Sequence, residues 1–186
     1  MALQNVVGPG LGSALCDTAM YPVPIDNLQF GLTPPDPVTV GVFRGYAYTI
    51  EDESEFSFPL PVDWIPGSDI SLLVTWGCNE TYAANTGVVQ WHAWGVAVTS
   101  DATGPVGIGR ILGVPGGNVN LPVGARTLRT STVGVAYGAG LAAGDTLAVM
   151  FSRIAPTVAQ TPTQEPEVYA VWIQYQRFLL WGARQQ

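Results

Sequence analysis

The sequence predicts an all-β protein: a single jelly-roll-like antiparallel β-sandwich preceded by an extended N-terminal arm. Three observations lead there. The chain holds 22 Gly and 15 Pro among 186 residues, a composition that suits many strands joined by turns and opposes long helices. β-Branched and aromatic residues gather in runs of strand length bounded by turn residues. Helical windows are weak, as at Leu141-Ala142-Ala143, whereas several runs alternate with the period of an extended chain.

Taken in order, residues 1–37 carry Gly8-Pro9-Gly10, Pro22, Pro24 and Thr33-Pro34-Pro35-Asp36-Pro37, a proline density that opposes both helix and interior strand. Yet Leu11, Leu15, Met20, Tyr21, Ile25, Leu28 and Phe30 make the segment too apolar for a free tail. An arm laid against its own domain or a neighbouring subunit satisfies both facts; an irregular lead-in covering one edge of the sandwich is the other reading. As an arm, residues 1–32 are expected to be dispensable for folding, and residues 38–186 form the sandwich domain.

Strands are expected at residues 38–50, 56–60 and 70–76, the last entered through the turn Pro66-Gly67-Ser68-Asp69. Residues 88–99 place Trp91, Ala93, Gly95 and Ala97 on one parity and His92, Trp94, Val96 and Val98 on the other. Both sides carry apolar residues, which predicts a strand covered on both faces. Further strands are expected at 127–136, weakened by Gly134, and at 146–154 after Ala143-Gly144-Asp145. The last, at 168–180, has Tyr169, Val171, Ile173 and Tyr175 on one parity. Residues 104–124, rich in Gly and Pro, read as a long contact-making loop with one short strand at 108–112. Such a strand count suits a two-sheet sandwich or jelly roll.

Composition narrows the function. Charged residues are 11% of the chain, against about a quarter in ordinary soluble proteins, and mean hydropathy is +0.25. Part of the outer surface must then be apolar, which predicts subunit contacts. The basic residues are all arginine, seven against 14 acids, for a net charge of −7. That balance repels phosphate backbones, so no nucleic-acid partner is expected. No uninterrupted apolar run reaches spanning length, and residues 1–10 lack the basic and apolar regions of a secretory signal. No membrane partner is expected, and the chain is expected to fold in a cytoplasm. Cys16 and Cys78 are too few for a disulfide framework; two buried thiols are expected, with one bridge from arm to sandwich as the alternative.

Each candidate for chemistry has a plainer reading. His92 is the single histidine, so one chain cannot assemble a His-rich zinc site, and a packed or interface histidine is expected. The run Glu51-Asp52-Glu53-Ser54-Glu55 lacks the spacing of a calcium loop and reads as a solvated turn. Without lysine there is no phosphate-cradling lysine motif. Gly107-Ile108-Gly109 lacks the helix of a dinucleotide site, and Asn79-Glu80-Thr81 reads as a chance sequon. No catalytic residues, metal or cofactor are expected. Six tryptophans remain: Trp64, Trp76, Trp91, Trp94, Trp172 and Trp181. Solvent-facing tryptophans can stack on sugar rings, but four of the six fall in strand patterns and read as core or interface.

The segment Phe56-Ser57-Phe58-Pro59-Leu60-Pro61-Val62-Asp63-Trp64 leads into Pro66-Gly67-Ser68-Asp69-Ile70-Ser71-Leu72. It resembles a strand–turn–strand pattern of phage structural proteins. Val88-Val89-Gln90-Trp91-His92-Ala93-Trp94, Asp145-Thr146-Leu147-Ala148-Val149-Met150-Phe151-Ser152-Arg153 and Val168-Tyr169-Ala170-Val171-Trp172-Ile173-Gln174-Tyr175 resemble later strands of the same pattern. Over residues 38–178 the chain is similar to the single jelly-roll domains of tailed-phage decoration, cement, head-fibre and neck proteins. The resemblance implies a virion structural protein without enzyme activity. It implies a homotrimer on the capsid exterior that binds the major capsid protein and stabilises the shell. For capsid and subunit contact the expected residues are Leu11, Leu15, Tyr21, Ile25 and Phe30 of the arm, with Arg126 and Arg129 as partners for acidic capsid residues. The competing readings are a receptor- or carbohydrate-binding jelly-roll module of a head fibre or tail, and a neck or tail connector.

Overall fold

The computed structural model describes residues 16–80, 88–98, 107–108, 119–120, 127–136, 138, 141–156 and 164–179. The regular elements among them are strands, apart from a 3-10 turn at Ile25–Asn27. They are β1 (Cys16–Val23), β2 (Gln29–Phe30), β3 (Asp36–Val40), β4 (Phe43–Ala47), β5 (Glu53–Pro59) and β6 (Ile70–Cys78). They continue as β7 (Val88–Val98), β8 (Gly107–Ile108), β9 (Val119–Asn120), β10 (Arg129–Ala136), β11 (Thr146–Ile154) and β12 (Pro166–Phe178). All pairings are antiparallel.

Two sheets form a sandwich. The first runs β10-β6-β12-β4-β3, with β1 also on β12; the second runs β2-β5-β11-β7-β8, with β9 also on β7. From β5 to β7 and from β9 to β12, each new strand lies in the sheet opposite its predecessor's. Sequence neighbours therefore face each other across the core, as in a jelly roll.

Residues 16–37, within the segment read as an arm, lie against the chain's own sandwich. All eight residues of β1 pair with β12, Cys16 opposite Phe178 through Val23 opposite Val171. β2 pairs with β5. Val23 and Leu28 are buried in the core. Deleting residues 1–32 would therefore remove a full strand and these core side chains along with any arm. Prolines are tolerated here because β1 lies at a sheet edge beyond β12.

The strand expected at 38–50 is a hairpin. Val40 pairs with Phe43 across a two-residue loop, and Gly41 takes the positive φ of 63° that this loop needs. The acidic run is not a solvated turn throughout. Asp52 is buried and its carboxylate accepts from the Thr49 amide. Glu53 and Glu55 are already in β5, and Glu51 carries the turn's positive φ of 77°.

The core is built from aromatics of both sheets. Trp76 of β6 meets Trp91 of β7 edge-on, with ring centroids 6.0 Å apart. Tyr48 lies 5.4 Å from Trp91 and 5.7 Å from Phe151. The polar atoms are partly satisfied: Tyr48 Oη shares a hydrogen bond with Ser54 Oγ, and Trp76 Nε1 donates to Ser131 Oγ at 3.1 Å. Burial holds the Tyr48 phenol well above its ordinary pKa, so it stays protonated. Burial likewise lowers the pKa of Arg153, whose Nη1 donates to the Tyr48 carbonyl at 2.7 Å.

Trp64 sits in the connection from β5 to β6 and is 1% exposed. The Ile65 amide donates to the Gln176 carbonyl and the Phe178 amide to the Asp63 carbonyl. The motif that carried the phage resemblance is thus a sheet-to-sheet crossover, plugged by Trp64 and latched to the end of β12.

Cys16 and Cys78 are thiols rather than a bridge. Cys16 is opposite Phe178 and Cys78 opposite Pro166, roughly 40 Å apart along β12 at the rise of an extended chain. A disulfide needs Cα atoms within about 7 Å. Cys78 is buried as expected, whereas Cys16 is half-buried. Burial, with Glu80 nearby, pushes the Cys78 thiol up to about 11.

Gly45 of β4 has room for nothing larger. A Cβ there would stand 2.5 Å from the Val168 carbonyl oxygen, a backbone atom that cannot swing away. Gly45→Ala should destabilise the protein by about 1–3 kcal/mol, read as a lower denaturant midpoint at unchanged slope.

Candidate functional site

The outer face of the second sheet carries the candidate site, and strand register assembles it. In β5, Phe56 and Phe58 point into the core, which turns Glu53, Glu55 and Ser57 outward. In β11, Leu147, Val149 and Phe151 are buried, which turns Ala148 and Met150 outward. In β7, Trp91, Ala93 and Ala97 face inward, so His92, Trp94, Val96 and Val98 face outward. The expectation that β7 is covered on both faces is therefore corrected. Trp94 is 38% exposed, and Val98 39%.

The pairings align these residues in rows across the sheet. Gln29 pairs with Glu55, Glu55 with Met150, and Met150 with Trp94. The next row is Ser57, Ala148 and Val96; on the other side lie Glu53, Ser152 and His92. Together Gln29, Glu55, Ser57, Trp94, Val96, Ala148 and Met150 line a groove of about 220 Å³. Its floor is the short or flexible Ala148 and Met150. One wall is an indole beside Val96; the other is a carboxylate, an amide and a hydroxyl. An amphipathic ligand with an apolar face and a polar rim matches that division.

Electrostatically the face is acidic. Glu53 and Glu55 project from it, whereas Arg44, Arg129 and Arg177 are on strands of the first sheet and Arg153 is buried. No arginine among the described residues stands on this face. Nor, among the described residues, does any group of three or more His, Cys, Asp or Glu form a metal-ligand set. Among these residues no helix is long and apolar enough to cross a membrane.

The expected contact residues are scattered. Leu11, Leu15 and Arg126 lie outside the described residues. Tyr21 is half-exposed on β1 with its ring 5.2 Å from that of Phe58. Ile25 and Phe30 pack against the chain's own core, Phe30 edge-on to Tyr46 at 4.8 Å. Arg129 begins β10, which β6 and β12 separate from β1.

A second surface feature lies on the first sheet. A register shift between Val168 and Ala170 buries Val168 and turns Tyr169 away from Val171 and Ile173, against the simple alternation. Tyr169 then lines an apolar groove with Val40, Phe43 and Leu128, of which Phe43 is 68% exposed.

Of the tryptophans, Trp64, Trp76 and Trp91 are fully buried. Trp172 is half-buried and donates from Nε1 to Thr75 Oγ1 at 3.3 Å. Trp181 lies outside the described residues. Among the described residues, Trp94 is the tryptophan that joins an outward-facing groove.

No protein-family model matches the chain, and no curated protein is significantly similar to it. Among solved structures it is similar to the CBM36-1 domain of a multidomain xylanase from the hindgut metagenome of Trinervitermes trinervoides. That match has a TM-score of 0.45 and 9% identity, over 84% of this chain and 96% of that one. It is also similar to carbohydrate-binding module CBM36 in complex with calcium and xylotriose (TM-score 0.39, 14% identity, 82% and 97% covered). A family 35 carbohydrate-binding module from Clostridium thermocellum matches with a TM-score of 0.38 and 13% identity, over 84% and 91%. At TM-scores this low the likenesses decide neither ligand nor site.

The two neighbouring tryptophans of β7 should behave oppositely. Trp91→Ala empties core volume and should cost about 3–5 kcal/mol. Trp94→Ala should stay within about 1 kcal/mol of the parent. Chemical denaturation of both variants measures the difference.

Proposed function

We propose that the chain is a non-catalytic carbohydrate-binding sandwich whose site is the groove at Trp94. The observation that carries this reading is the row Gln29–Glu55–Met150–Trp94, which sets an exposed indole across a shallow floor from hydrogen-bonding side chains. A pyranose has the matching chemistry. Its C–H face lies on an aromatic ring, and its rim hydroxyls donate to a carboxylate or bond with an amide. The groove is smaller than the ~300–1,000 Å³ of drug-sized pockets and suits a ring lying flat. A glycan array followed by calorimetry tests the reading. Binding to at least one glycan class is expected, with Trp94→Ala weakening it about tenfold or more. An array without hits, or hits indifferent to Trp94→Ala, would overturn it.

A second reading is a virion decoration subunit, a homotrimer seated on the outside of a major capsid shell. It is favoured by the apolar surface on the first sheet, where Val42 and Leu128 are 91% and 55% exposed and Phe43 lines a groove. Monomers rarely leave such residues contiguous in water. Bound copies would stabilise only the assembled lattice, by mass action. A trimeric mass by light scattering, with co-sedimentation on undecorated shells and a raised shell melting temperature, is the expected result. A monomer that ignores shells would exclude it.

A further inference from the structure

We infer that the groove at Trp94 prefers amino sugars and turns away acidic glycans, an inference that rests on the carbohydrate-binding reading. Glu55 pairs with Met150, which pairs with Trp94. Two inter-strand steps therefore separate the carboxylate's strand position from that of the indole, roughly 10 Å. A pyranose stacked on Trp94 covers Met150 and Ala148 and brings its far rim within reach of Glu55. At that rim an ammonium gains a charge-assisted hydrogen bond, about twice as strong as a neutral one. N-Acetylation removes the charge and leaves a weaker donor. A carboxylate there meets Glu55 as a like charge, on a chain whose net charge is −7.

Neighbouring groups leave Glu55 as the acceptor. The Glu53 carboxylate is drawn toward Gly31, where an added Cβ would meet its Oε2 at 2.5 Å. His92 stands in the Glu53–Ser152 row, one row removed from Glu55. Gln29, directly across from Glu55 on β2, adds an amide that serves charged and neutral sugars alike. Selectivity for the amine thus concentrates in one side chain, and affinity for the ring in another.

The test is calorimetry of the full chain with three soluble probes: glucosamine oligomers, N-acetylglucosamine oligomers and galacturonate oligomers. Each is measured on the parent, Glu55→Gln and Trp94→Ala proteins, with thermal melts to show that the variants are folded. The parent should bind the glucosamine oligomer about tenfold more tightly than the N-acetylated one, and the galacturonate oligomer most weakly. Glu55→Gln should erase the tenfold preference while leaving N-acetylglucosamine binding within about twofold. Trp94→Ala should weaken both neutral and amino-sugar binding.

Galacturonate bound as tightly as glucosamine, or a preference that survives Glu55→Gln, overturns the inference. If that binding remains sensitive to Trp94→Ala, the carbohydrate-binding reading stands without it. Glucosamine binding indifferent to Trp94→Ala marks non-specific attraction of a cation to an acidic protein and also overturns the inference. Failure of all three probes to bind overturns it as well, and the glycan array then decides the broader reading separately.

Discussion

Everything on the outer surface depends on the aromatic contact that joins the two sheets, Trp76 against Trp91 with Tyr48 and Phe151 around them. Side chains alternate strictly along a strand, and a one-residue slip would exchange its two faces. With Trp91 locked inside, Trp94 three residues later must point out. The antiparallel partners carry the same decision across the sheet: Met150 faces out because Phe151 faces in, and Glu55 because Phe56 does. The candidate groove is thus the reverse side of the core.

β12 plays the complementary role in the other sheet. It pairs with β1, β4 and β6 and receives the latch from the crossover at Trp64. The bulge at its start reconciles two demands that a regular strand cannot meet together, burial of Val168 and burial of Val171. Its side effect is to deliver Tyr169 to the surface beside Phe43 and Leu128. The two sheets therefore present different chemistry: an acidic, hydrogen-bonding face that carries the Trp94 indole, and a largely apolar groove. The carbohydrate-binding and decoration proposals thus rest on different sheets.

Low charge content has a consequence for the interior as well. With few ionic groups available, the sandwich relies on packing and on hydroxyl partners such as Ser54 and Ser131 for its buried aromatics. The exposed ion pair between Arg177 and Asp17 at 3.3 Å adds little in water. Arg153, buried beside the aromatic cluster, spends its charge on backbone and interior groups. It orders the end of the core where β11 meets the chain at Tyr48.

Much of this was readable without coordinates. Turn residues and alternating runs located β5, β6, β7, β10, β11 and β12 within a few residues, because burial of one sheet face writes a period of two into the sequence. Composition alone predicted an apolar outer surface. What only the tertiary structure decided is which parity faces the core, which strands are neighbours, and where the pattern breaks. Both parities of β7 are apolar, so alternation could not separate Trp91 from Trp94. Gln29, Glu55, Met150 and Trp94 come from four strands, and only inter-strand register places them in one row. Tyr169 was misplaced because a bulge is a two-strand property, set by the mismatch with β6 and invisible in either strand alone. Local sequence encodes the strands; long-range pairing, which no single segment contains, builds the site.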